Sequence, residues 1–551
     1  MTMNAANLFI DCLVNEGIEY IFGVPGEENE DFLFALENSP ITFIPVRHEQ
    51  GGAFMANVWG RLTGKAGVCL ATLGPGATNL ITGVADANLD KAPLVAITGQ
   101  GSSERLHHES HQIIDVVDMM KSVTKWNTTI TNPKVIPEIV RKAFKLAQEE
   151  KPGATHIELP ENIAGMDLSE KMSALSIHNV RRPSPDAKAL SEAIQLIKAA
   201  KNPIIVAGNG AIRKRASKAL TALSNQYNIP VACTFMGKGA ISDRDSGCLG
   251  SVGLGFKDYV IEAFEQSDLV ISIGYDIAEY DPENWNENAN KTIIHIDFAS
   301  AEVFTHYIPK VEIVADIAES INALIAGLEG SKWDSWYTDI RDRIQESIHS
   351  FTLDDSSETF NAPGVINAVR EVLPDNGLVI SDVGSHKMWI ARNYQTYEPN
   401  SCLISNGLAS MGISLPGGIA AAMVDDSRPV ISIMGDGGSM MNIQELETAK
   451  RLDLHFIIII LNDNNYGLIE WKQEMNEGKS FGTKLTNPDF VKLAQSFGIN
   501  AHKPSDIADL KSVIAKSISE KQLTVIEIPI NVSVNNKLVD TLAAYYKSNN
   551  S

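Results

Sequence analysis

The chain has 551 residues, of which 44% are hydrophobic and 21% are charged, and its formal net charge is -22. At roughly 150 residues per domain, this length predicts three or four domains instead of one core. The negative charge argues against nucleic acid and anionic membranes as partners, because both would repel the protein. The longest apolar run is well short of the ~20 residues that span a bilayer, so we expect no membrane segment.

The first residues, MTMNAANLFIDCLVNEGIEY, have the pattern of an amphipathic helix and lack the basic start of a signal peptide. We therefore expect a cytoplasmic protein. The five cysteines are odd in number, far apart and in no CxxC pair, which argues against a disulfide framework and a zinc site. We expect them to be small buried hydrophobic residues: Cys12, Cys69, Cys233, Cys248 and Cys402.

Strand-like apolar runs alternate with helical patterns along the chain. The runs are GVCLAT, LVAIT, PIIVAG, DLVISIG, TIIHID, GLVISD, PVISIM and HFIIIIL. This alternation predicts an α/β fold with parallel sheets. Polar segments at 169–188 and 327–364 are expected boundaries, which gives three domains of similar size. Segments 68–98 and 429–461 both show a strand, a glycine turn, a helix and a strand, so the first and third domains look related.

Two acidic residues follow adjacent predicted strands in the third domain. Asp436 lies between glycines after the run 429–434, and Asp463 follows the run 456–461. Parallel strands would place both carboxylates at one edge of the sheet, beside a glycine turn and helix start suited to an anion. Taken alone, Asp436 is typical of a turn. The pair instead predicts a Mg²⁺ ion held by both side chains, a main-chain carbonyl and a diphosphate.

The segment GDGGSMMNIQELETA followed by LNDNNYG resembles the thiamine diphosphate motif of acetolactate synthases. The motif usually ends in Asn-Asn. Here it ends in Asn462-Asp463, as in the catabolic, flavin-independent branch of the family, so the second ligand is a carboxylate. The resemblance implies Asp436, Asp463 and the main-chain oxygen of Asn465 as metal ligands. It also implies that three residues face the diphosphate: Gly437, Gly438 and Ser439.

The resemblance covers nearly the whole chain. The segment 381–392, SDVGSHKMWIAR, is similar to a loop that contacts the diphosphate through Ser385 and His386. The segment 405–418, SNGLASMGISLPGG, resembles the part that holds the pyrimidine, where Met411 would bend the cofactor; ordinary core packing of Met411 is compatible with that role. The remaining cofactor-binding residues implied by the resemblance are Pro25, Gly26, Gly74, Pro75, Gly76, Asn79, Ser410, Gly435 and Tyr466.

The resemblance also implies how the chain is organised. It predicts three doubly wound parallel-sheet domains: a pyrimidine-binding domain at 1–168, a middle domain at 189–330 and a diphosphate-binding domain at 360–533, followed by a tail at 534–551. In this family the cofactor bridges the first domain of one subunit and the third domain of another. A homodimer is therefore implied, or a tetramer built from such dimers.

Glu49 is the candidate acid–base residue. It follows the apolar run ITFIPV and precedes small residues that allow close approach. An isolated glutamate at this place would be interpreted as a solvated residue at a helix start. The flanking segments YIFGVPGEEN and GKAGVCLATLGPGATNL, however, resemble the pyrimidine domain of these enzymes. The resemblance therefore implies that Glu49 activates the aminopyrimidine of the cofactor.

The middle domain offers only a weak nucleotide signal. VAGNGAIRKRA at 206–216 lacks the third glycine and the later acidic residue of a dinucleotide loop. Flavin-containing relatives carry a Gly-Ala-Arg-Phe-Asp-Asp-Arg segment, whereas IGYDIAEYDPENWN at 273–286 has no arginine for a flavin phosphate. We therefore expect no FAD, although a vestigial flavin site stays open.

These enzymes make a carbanion from a 2-keto acid, and the expected reaction depends on whether this carbanion reacts with a proton or with a second keto acid. Decarboxylases of this kind have an adjacent histidine pair, and an alignment through VVDMMKSVTKW places that pair at His111-Gln112. This favours Gln112 as an amide that orients the substrate. His107 and His108 would lie in a surface loop. Lys472 occupies the place of a tryptophan found in synthases that prefer 2-ketobutyrate, which favours pyruvate as acceptor over another 2-keto acid. The prediction is an acetolactate synthase that condenses two pyruvates. A thiamine diphosphate-dependent 2-keto acid decarboxylase or other lyase, and a catalytically silent subunit, are the alternatives.

Overall fold

The computed structural model of the protein describes residues 3–168, 172–178, 182–253 and 259–538, so residues 539–551 of the predicted tail lie outside it. The chain forms two compact units. The first comprises Met1–Val180, Leu408–Asp426 and Met440–Leu454, and the second comprises Arg181–Gly407, Ser427–Ser439 and His455–Ser551. None of the helices in the described ranges combines the length and apolar character that a bilayer crossing requires. All five cysteines are buried and free, as predicted.

The first sheet lies in the first unit and has six parallel strands. Its strands are β1 Tyr20–Gly23, β2 Thr42–Pro45, β3 Gly67–Ala71, β4 Leu94–Gln100, β5 Trp126–Thr129 and β6 Ala154–Pro160. The helices of this region are α1 Ala5–Asn15, α2 Glu30–Glu37, α3 Glu49–Thr63, α4 Pro75–Leu89, α5 Val116–Lys121, α6 Ile136–Gln148 and α7 Glu161–Ala164. The strand order is β2-β1-β3-β4-β6-β5, so the direction of winding reverses between β1 and β3. The predicted first helix is confirmed as α1, which the side chain of Asn4 caps.

The central sheet lies in the second unit. Its strands are β7 Pro203–Ala207, β8 Val231–Cys233, β9 Cys248–Ser251, β10 Leu269–Ile273, β11 Thr292–Asp297 and β12 Val311–Val314. Its helices are α8 Ala187–Ala199, α9 Lys214–Tyr227, α10 Tyr259–Gln266, α11 Ile317–Gly327 and α12 Thr338–His349. The strands are parallel, in the order β12-β11-β10-β7-β8-β9. Alternate residues of β7 belong to two different apolar clusters, with Ile205 in one and Ile204 in the other, so both faces of the sheet are covered.

The helix α12 lies inside the polar segment 327–364 that the sequence marks as a boundary. Three isoleucines at helical spacing bury its inner face against one of the central apolar clusters: Ile340, Ile344 and Ile348. The polar outer face of this helix is what makes the segment look like a linker in sequence.

The third sheet also lies in the second unit. Its strands are β13 Leu378–Ser381, β14 Cys402–Ile404, β15 Val430–Gly435, β16 Ile457–Asn462, β17 Asn500–His502 and β18 Thr524–Pro529. The helices of residues 360–538 are α13 Ala362–Val372, α14 Ser385–Asn393, α15 Ser414–Val424, α16 Asp436–Asn442, α17 Leu446–Arg451, α18 Gly467–Glu477, α19 Phe490–Ser496 and α20 Ile507–Ser519. The parallel order β14-β13-β15-β16-β18-β17 is that of the first sheet. The predicted α/β class with parallel sheets is thus confirmed, and the sequence echo corresponds to a shared topology.

Two stretches of the third-domain sequence belong to the first unit. Within that unit, α15 packs against α3. The single helix expected after the Gly-Asp-Gly turn is instead α16, a 3-10 turn at Ile443–Glu445, and α17. The interruption begins at Asn442, which leaves helical geometry and donates a side-chain hydrogen bond to the carbonyl of Gly412 at 2.8 Å.

Candidate cofactor site

The third sheet reverses its winding direction between β13 and β15, which are neighbouring parallel strands. Open α/β sheets bind ligands at such a point, beyond the carboxyl ends of the strands. The loop after β13 leads to Ser385 and His386 at the start of α14, and Gly435 ends β15 directly before Asp436, which begins α16. The structure thus brings these four sequence-predicted residues to one place. Together with Asp463 and Asn465 we call them the second-unit cluster.

Close backbone contacts define the turn after β15. A Cβ added to Gly438 would lie 2.7 Å from the Oδ1 atom of Asp382, so a larger residue there would displace the Asp382 side chain. A Cβ on Gly437 would lie 2.8 Å from the ring of Tyr466, which places that predicted residue beside the turn. Ser439 donates a hydrogen bond from its hydroxyl to the carbonyl of Asp436 at 2.7 Å. Because α16 begins at Asp436, the free N–H groups of its first turn lie in this glycine-rich segment.

The two predicted acidic residues lie at the ends of adjacent strands. Strands β15 and β16 pair in parallel, with Gly435 opposite Leu461, which confirms the predicted neighbourhood. Asp436 is 1% exposed. Burial, and then the neighbouring Asp436, raise the pKa of Asp463 to about 7. Two carboxylates so placed repel each other, and a divalent cation between them would relieve that repulsion.

Asn487 is a member of the second-unit cluster that the sequence does not reveal. Its side-chain nitrogen donates to the Oδ2 atom of Asp436 at 2.6 Å and also lies 3.1 Å from Oδ1 of Asn462 and 3.2 Å from Oδ1 of Asn464. The segment that carries Asn487 is held against the loop after β16 by a bridge between Asn465 and Lys484. No local pattern marks this asparagine, because its role arises from that pairing.

The residues present fit a divalent cation and a diphosphate. The side-chain Nε2 of His386 and Oδ1 of Asn465 are buried and have no hydrogen-bond partner among the described residues. Burial lowers the pKa of His386 to about 4, so this imidazole is neutral near pH 7 and can donate to a phosphate oxygen. The described residues contain no group of three or more His, Cys, Asp or Glu side chains that could hold a metal. The two carboxylates would therefore need further oxygens, from the main chain and from the diphosphate.

Glu49 lies in the first unit as the first residue of α3. It is 8% exposed, so the interpretation as a solvated helix-start residue does not hold. Its Oε2 atom accepts a hydrogen bond from the amide of Asn79 at 2.9 Å. Its Oε1 atom would lie 3.3 Å from a Cβ placed on Gly76. Glu49, Gly76 and Asn79 are therefore together, as the sequence predicts, and we call them the first-unit cluster.

The loop that carries Gln112 packs against the glycine-proline turn before α4. Gly74 has a φ of +53°, and a Cβ there would lie 2.7 Å from the carbonyl oxygen of Gln112. Pro75 is the first residue of α4, where its fixed φ suits a helix start. The side chain of Gln112 is exposed. His107 and His108 are also exposed, with ring centroids 4.5 Å apart, so their placement in a surface loop is confirmed.

The loops after β1 and β3 meet at the switch point of the first sheet. A Cβ on Gly26 would lie 2.3 Å from the Cβ of Thr72, whose hydroxyl donates to Glu28 at 2.8 Å. Pro25 precedes this contact and is exposed. Ser410 and Met411 belong to the same unit, where Ser410 N–H donates to Asp86 at 3.4 Å. Met411 is half-buried, so its side chain is partly packed and partly accessible to a ligand.

Glu445 is a second residue that sequence reasoning missed. It is fully buried, and its Oε1 atom accepts hydrogen bonds from the main-chain N–H groups of Arg47 at 3.0 Å and His48 at 3.1 Å. Burial raises the pKa of Glu445, whereas these hydrogen bonds and one from Thr448 lower it. The carboxylate fixes the chain immediately before Glu49. The partners are far apart in sequence, so no local pattern could reveal the contact.

Comparisons with known proteins agree with these two clusters. Residues 3–119 match the thiamine pyrophosphate enzyme N-terminal TPP binding domain, residues 190–324 the central domain, and residues 382–528 the C-terminal TPP binding domain. The acetolactate synthase of Bacillus subtilis is 33% identical over 96% of this chain and 94% of its own length. The catabolic acetolactate synthase of Raoultella terrigena is 32% identical over 98% of this chain and 97% of its own length. A probable acetolactate synthase large subunit of Methanococcus aeolicus is 33% identical over 96% of this chain and 92% of its own length.

These matches confirm the family that the sequence motifs indicate. Two of the matched domains are TPP-binding domains, and they contain the first-unit and second-unit clusters. The relatives are enzymes by name, so the matches do not favour a silent subunit or a simple decarboxylase. The chain belongs to the thiamine diphosphate-dependent acetolactate synthase family.

Proposed function

We propose that the protein condenses two molecules of pyruvate to 2-acetolactate with release of CO₂. The observation that carries this assignment over a decarboxylase is Gln112, whose loop packs on the Gly74 turn beside Glu49 and Asn79. An amide can orient a second keto acid but is a poor proton donor. Carbon–carbon bond formation is therefore favoured over protonation after CO₂ has left.

The chain's own residues prepare this chemistry. Thiamine diphosphate, when bound, supplies the carbon nucleophile that adds to the keto acid and accommodates the electron pair left by CO₂. We assign Glu49 Oε1 as the oxygen that exchanges a proton with the pyrimidine ring, because Oε2 is occupied by the hydrogen bond from Asn79. Glu445 accepts hydrogen bonds from the main chain at Arg47 and His48, directly before Glu49. These bonds fix the orientation of the Glu49 side chain at the start of α3.

The second-unit cluster supplies the proposed binding groups for the diphosphate and Mg²⁺. The metal ligands are the side chains of Asp436 and Asp463 and the main-chain oxygen of Asn465. The diphosphate contacts come from the turn after β15 and from Ser385 and His386. Support for this assignment comes from the buried carboxylate of Asp436, the partly buried carboxylate of Asp463 beside it, and the unpartnered His386 Nε2 atom.

Pyruvate is the proposed acceptor as well as the donor. Trp471 is buried in the apolar core of the third domain, and its indole N–H donates to Asn536 at 3.1 Å. Lys472, at the position of the tryptophan in 2-ketobutyrate-preferring synthases, is exposed. Neither residue offers an aromatic face for a larger acceptor in the described structure, which supports the smaller keto acid.

The test is a product analysis of purified protein with pyruvate, Mg²⁺ and thiamine diphosphate, and without flavin. We expect one CO₂ for every two pyruvates and accumulation of acetolactate. Acetaldehyde as the main product would replace this proposal with a decarboxylase. An absolute requirement for added FAD would contradict the proposed flavin-free reaction.

The wider organisation is part of the proposal. We assign domains to 1–168, 189–330 and 360–533, with a tail at 534–551, and a cytoplasmic location. We also assign a homodimer, or a tetramer built from it, in which each cofactor contacts Glu49 of one subunit and Asp436 of the other. Support for this arrangement comes from the family resemblance over nearly the whole chain.

A further inference from the structure

The central sheet has its own switch point, between β7 and β10. These strands are parallel neighbours, and the chain winds outward from them in opposite directions. In open α/β sheets this is the place where the phosphates of a nucleotide meet main-chain N–H groups. Here the crevice is bounded by Asn209 after β7, Thr234 after β8 and Asp276 after β10. We call it the central crevice.

The carboxyl group of Glu279 occupies the central crevice. Both of its oxygens lie 3.0 Å from the main-chain nitrogen of Asn209. The N–H of Asp276 donates to Oε1 at 3.2 Å, and the hydroxyl of Thr234 donates to Oε2 at 2.5 Å. In each of these hydrogen bonds the carboxyl group is the acceptor, which is how a bound phosphate would be held.

The main chain packs closely against this side chain at Gly208. A Cβ on Gly208 would lie 2.5 Å from the carbonyl oxygen of Gly274 and 2.9 Å from Oε1 of Glu279. Glu279 is 4% exposed, and its main-chain carbonyl accepts a hydrogen bond from Asn406 at 2.7 Å, so the segment is also fixed at its backbone. Burial raises the pKa of Glu279 to about 8, whereas the hydrogen bonds from Thr234 and Asn209 act in the opposite direction.

We propose that Glu279 is an internal ligand of the central crevice, which takes the place of a phosphate group and keeps the phosphates of a flavin or other nucleotide out of the middle domain. The residues present therefore do not fit FAD. The sequence supports this from another side, because segment 273–286 contains no arginine to pair with a flavin phosphate. The proposal concerns the middle domain alone and does not depend on the reaction assigned above.

Removing the carboxyl group of Glu279 should convert the crevice into an anion site. We would prepare Glu279→Ala and Glu279→Ser, the second of which supplies a hydroxyl to the freed N–H groups in case the alanine variant does not fold. Glu283→Ala is the matched control, because Glu283 is an exposed glutamate of the same segment. All proteins are saturated with thiamine diphosphate and Mg²⁺ first, so that the probe does not bind at the second-unit cluster.

The probe is inorganic pyrophosphate, with adenosine as an uncharged comparison, and binding is measured by calorimetric titration and by the rise in melting temperature. We expect the Glu279 variants to bind one pyrophosphate per chain about tenfold or more tightly than the wild type, as expected for gaining one charge-assisted hydrogen bond. Adenosine should not bind, and Glu283→Ala should behave as the wild type. Pyrophosphate binding by the wild-type holoenzyme at the same strength would overturn the proposal. So would a folded Glu279 variant that gains no binding.

Discussion

The surroundings of Glu49 predict that its substitution affects proton transfer but not cofactor binding. One carboxylate oxygen is held by Asn79, and the residue is buried at the start of α3. Glu49→Gln keeps the size of the side chain and removes its acid–base function. Turnover should fall by ~10²–10⁴, while thiamine diphosphate binding stays close to that of the wild type. Steady-state rates and a cofactor titration measure the two effects.

The control for this variant is Glu37→Gln, which changes an exposed glutamate of α2. It should leave both rate and binding unchanged. Turnover of Glu49→Gln near the wild-type level would remove Glu49 from the mechanism. Loss of cofactor binding in that variant would instead make Glu49 a binding residue.

The two acidic residues of the second-unit cluster should respond differently to substitution. Asp436→Ala removes a buried carboxylate and should abolish Mg²⁺-dependent binding of thiamine diphosphate. Asp463→Asn retains an oxygen ligand and should still bind the cofactor in the presence of Mg²⁺. A titration of thiamine diphosphate with and without Mg²⁺ distinguishes the two results. The control is Asp342→Ala, at an exposed position of α12, and equal binding by Asp436→Ala and Asp463→Asn would contradict the proposed ligand set.

At the scale of elements, the positions of the site residues follow from where buried strands end. The prediction of a strand at 456–461 differs from β16 by one residue, and the pairing of β15 with β16 then places both acidic residues correctly. Such strands can be recognised in sequence because nearly every residue is apolar; β15 carries only Ser432 as a polar side chain, and β16 only Asn462 at its end. The edge strands β5 and β17 could not be recognised, since both are short and carry polar residues that are exposed or only partly buried.

The residues that sequence reasoning missed share a physical cause. Glu445 and Asn487 act through contacts with segments that are distant in the chain, and neither stands in a local pattern. The break after α16 was missed for the same reason, because the side chain of Asn442 bonds to the distant carbonyl of Gly412. Local apolar patterns thus predict the sheets, whereas the polar contacts that orient the site residues require the folded chain.

The pairing of β4 with β6 contains a buried histidine that should make the first sheet sensitive to acid. His156 is fully buried, and its Nε2 atom lies 2.8 Å from the hydroxyl of Thr98. Burial lowers its pKa from 6.5 to about 3. Below pH 6.5 the unfolded chain takes up a proton at this residue and the folded chain does not. The neutral histidine therefore contributes stability that is present above pH 6.5 and is lost as the pH falls toward 3.

His156→Gln should reduce this acid sensitivity, because glutamine does not titrate. The free energy of unfolding of the wild type should fall more steeply than that of the variant, by up to about 1.4 kcal/mol per pH unit below pH 6.5. Melting temperatures recorded from pH 6.5 down to about 4 provide the measurement. His349→Gln, at an exposed position, should retain the wild-type dependence. Equal slopes for His156→Gln and wild type would show that His156 does not limit acid stability.

At the scale of the whole molecule, the proposed dimer predicts complementation between two inactive variants. Glu49→Gln impairs the first-unit cluster and Asp436→Ala impairs the second-unit cluster. If each active site uses Glu49 of one subunit and Asp436 of the other, a mixed dimer has one intact site and one doubly impaired site. Equal co-expression gives mixed dimers in half of the population, so activity should return to about a quarter of the wild-type level.

Co-expression with two different affinity tags allows the mixed dimers to be isolated and their acetolactate formation measured. The isolated species should have about half of the wild-type activity per dimer, because one of its two sites is intact. Each variant expressed alone is the control and should show only its own residual rate. If both groups instead act on a cofactor bound within one chain, no intact site can form in a mixed dimer. Activity that stays at the level of the single variants would therefore contradict an active site shared between subunits, and a monomer in solution would do so as well.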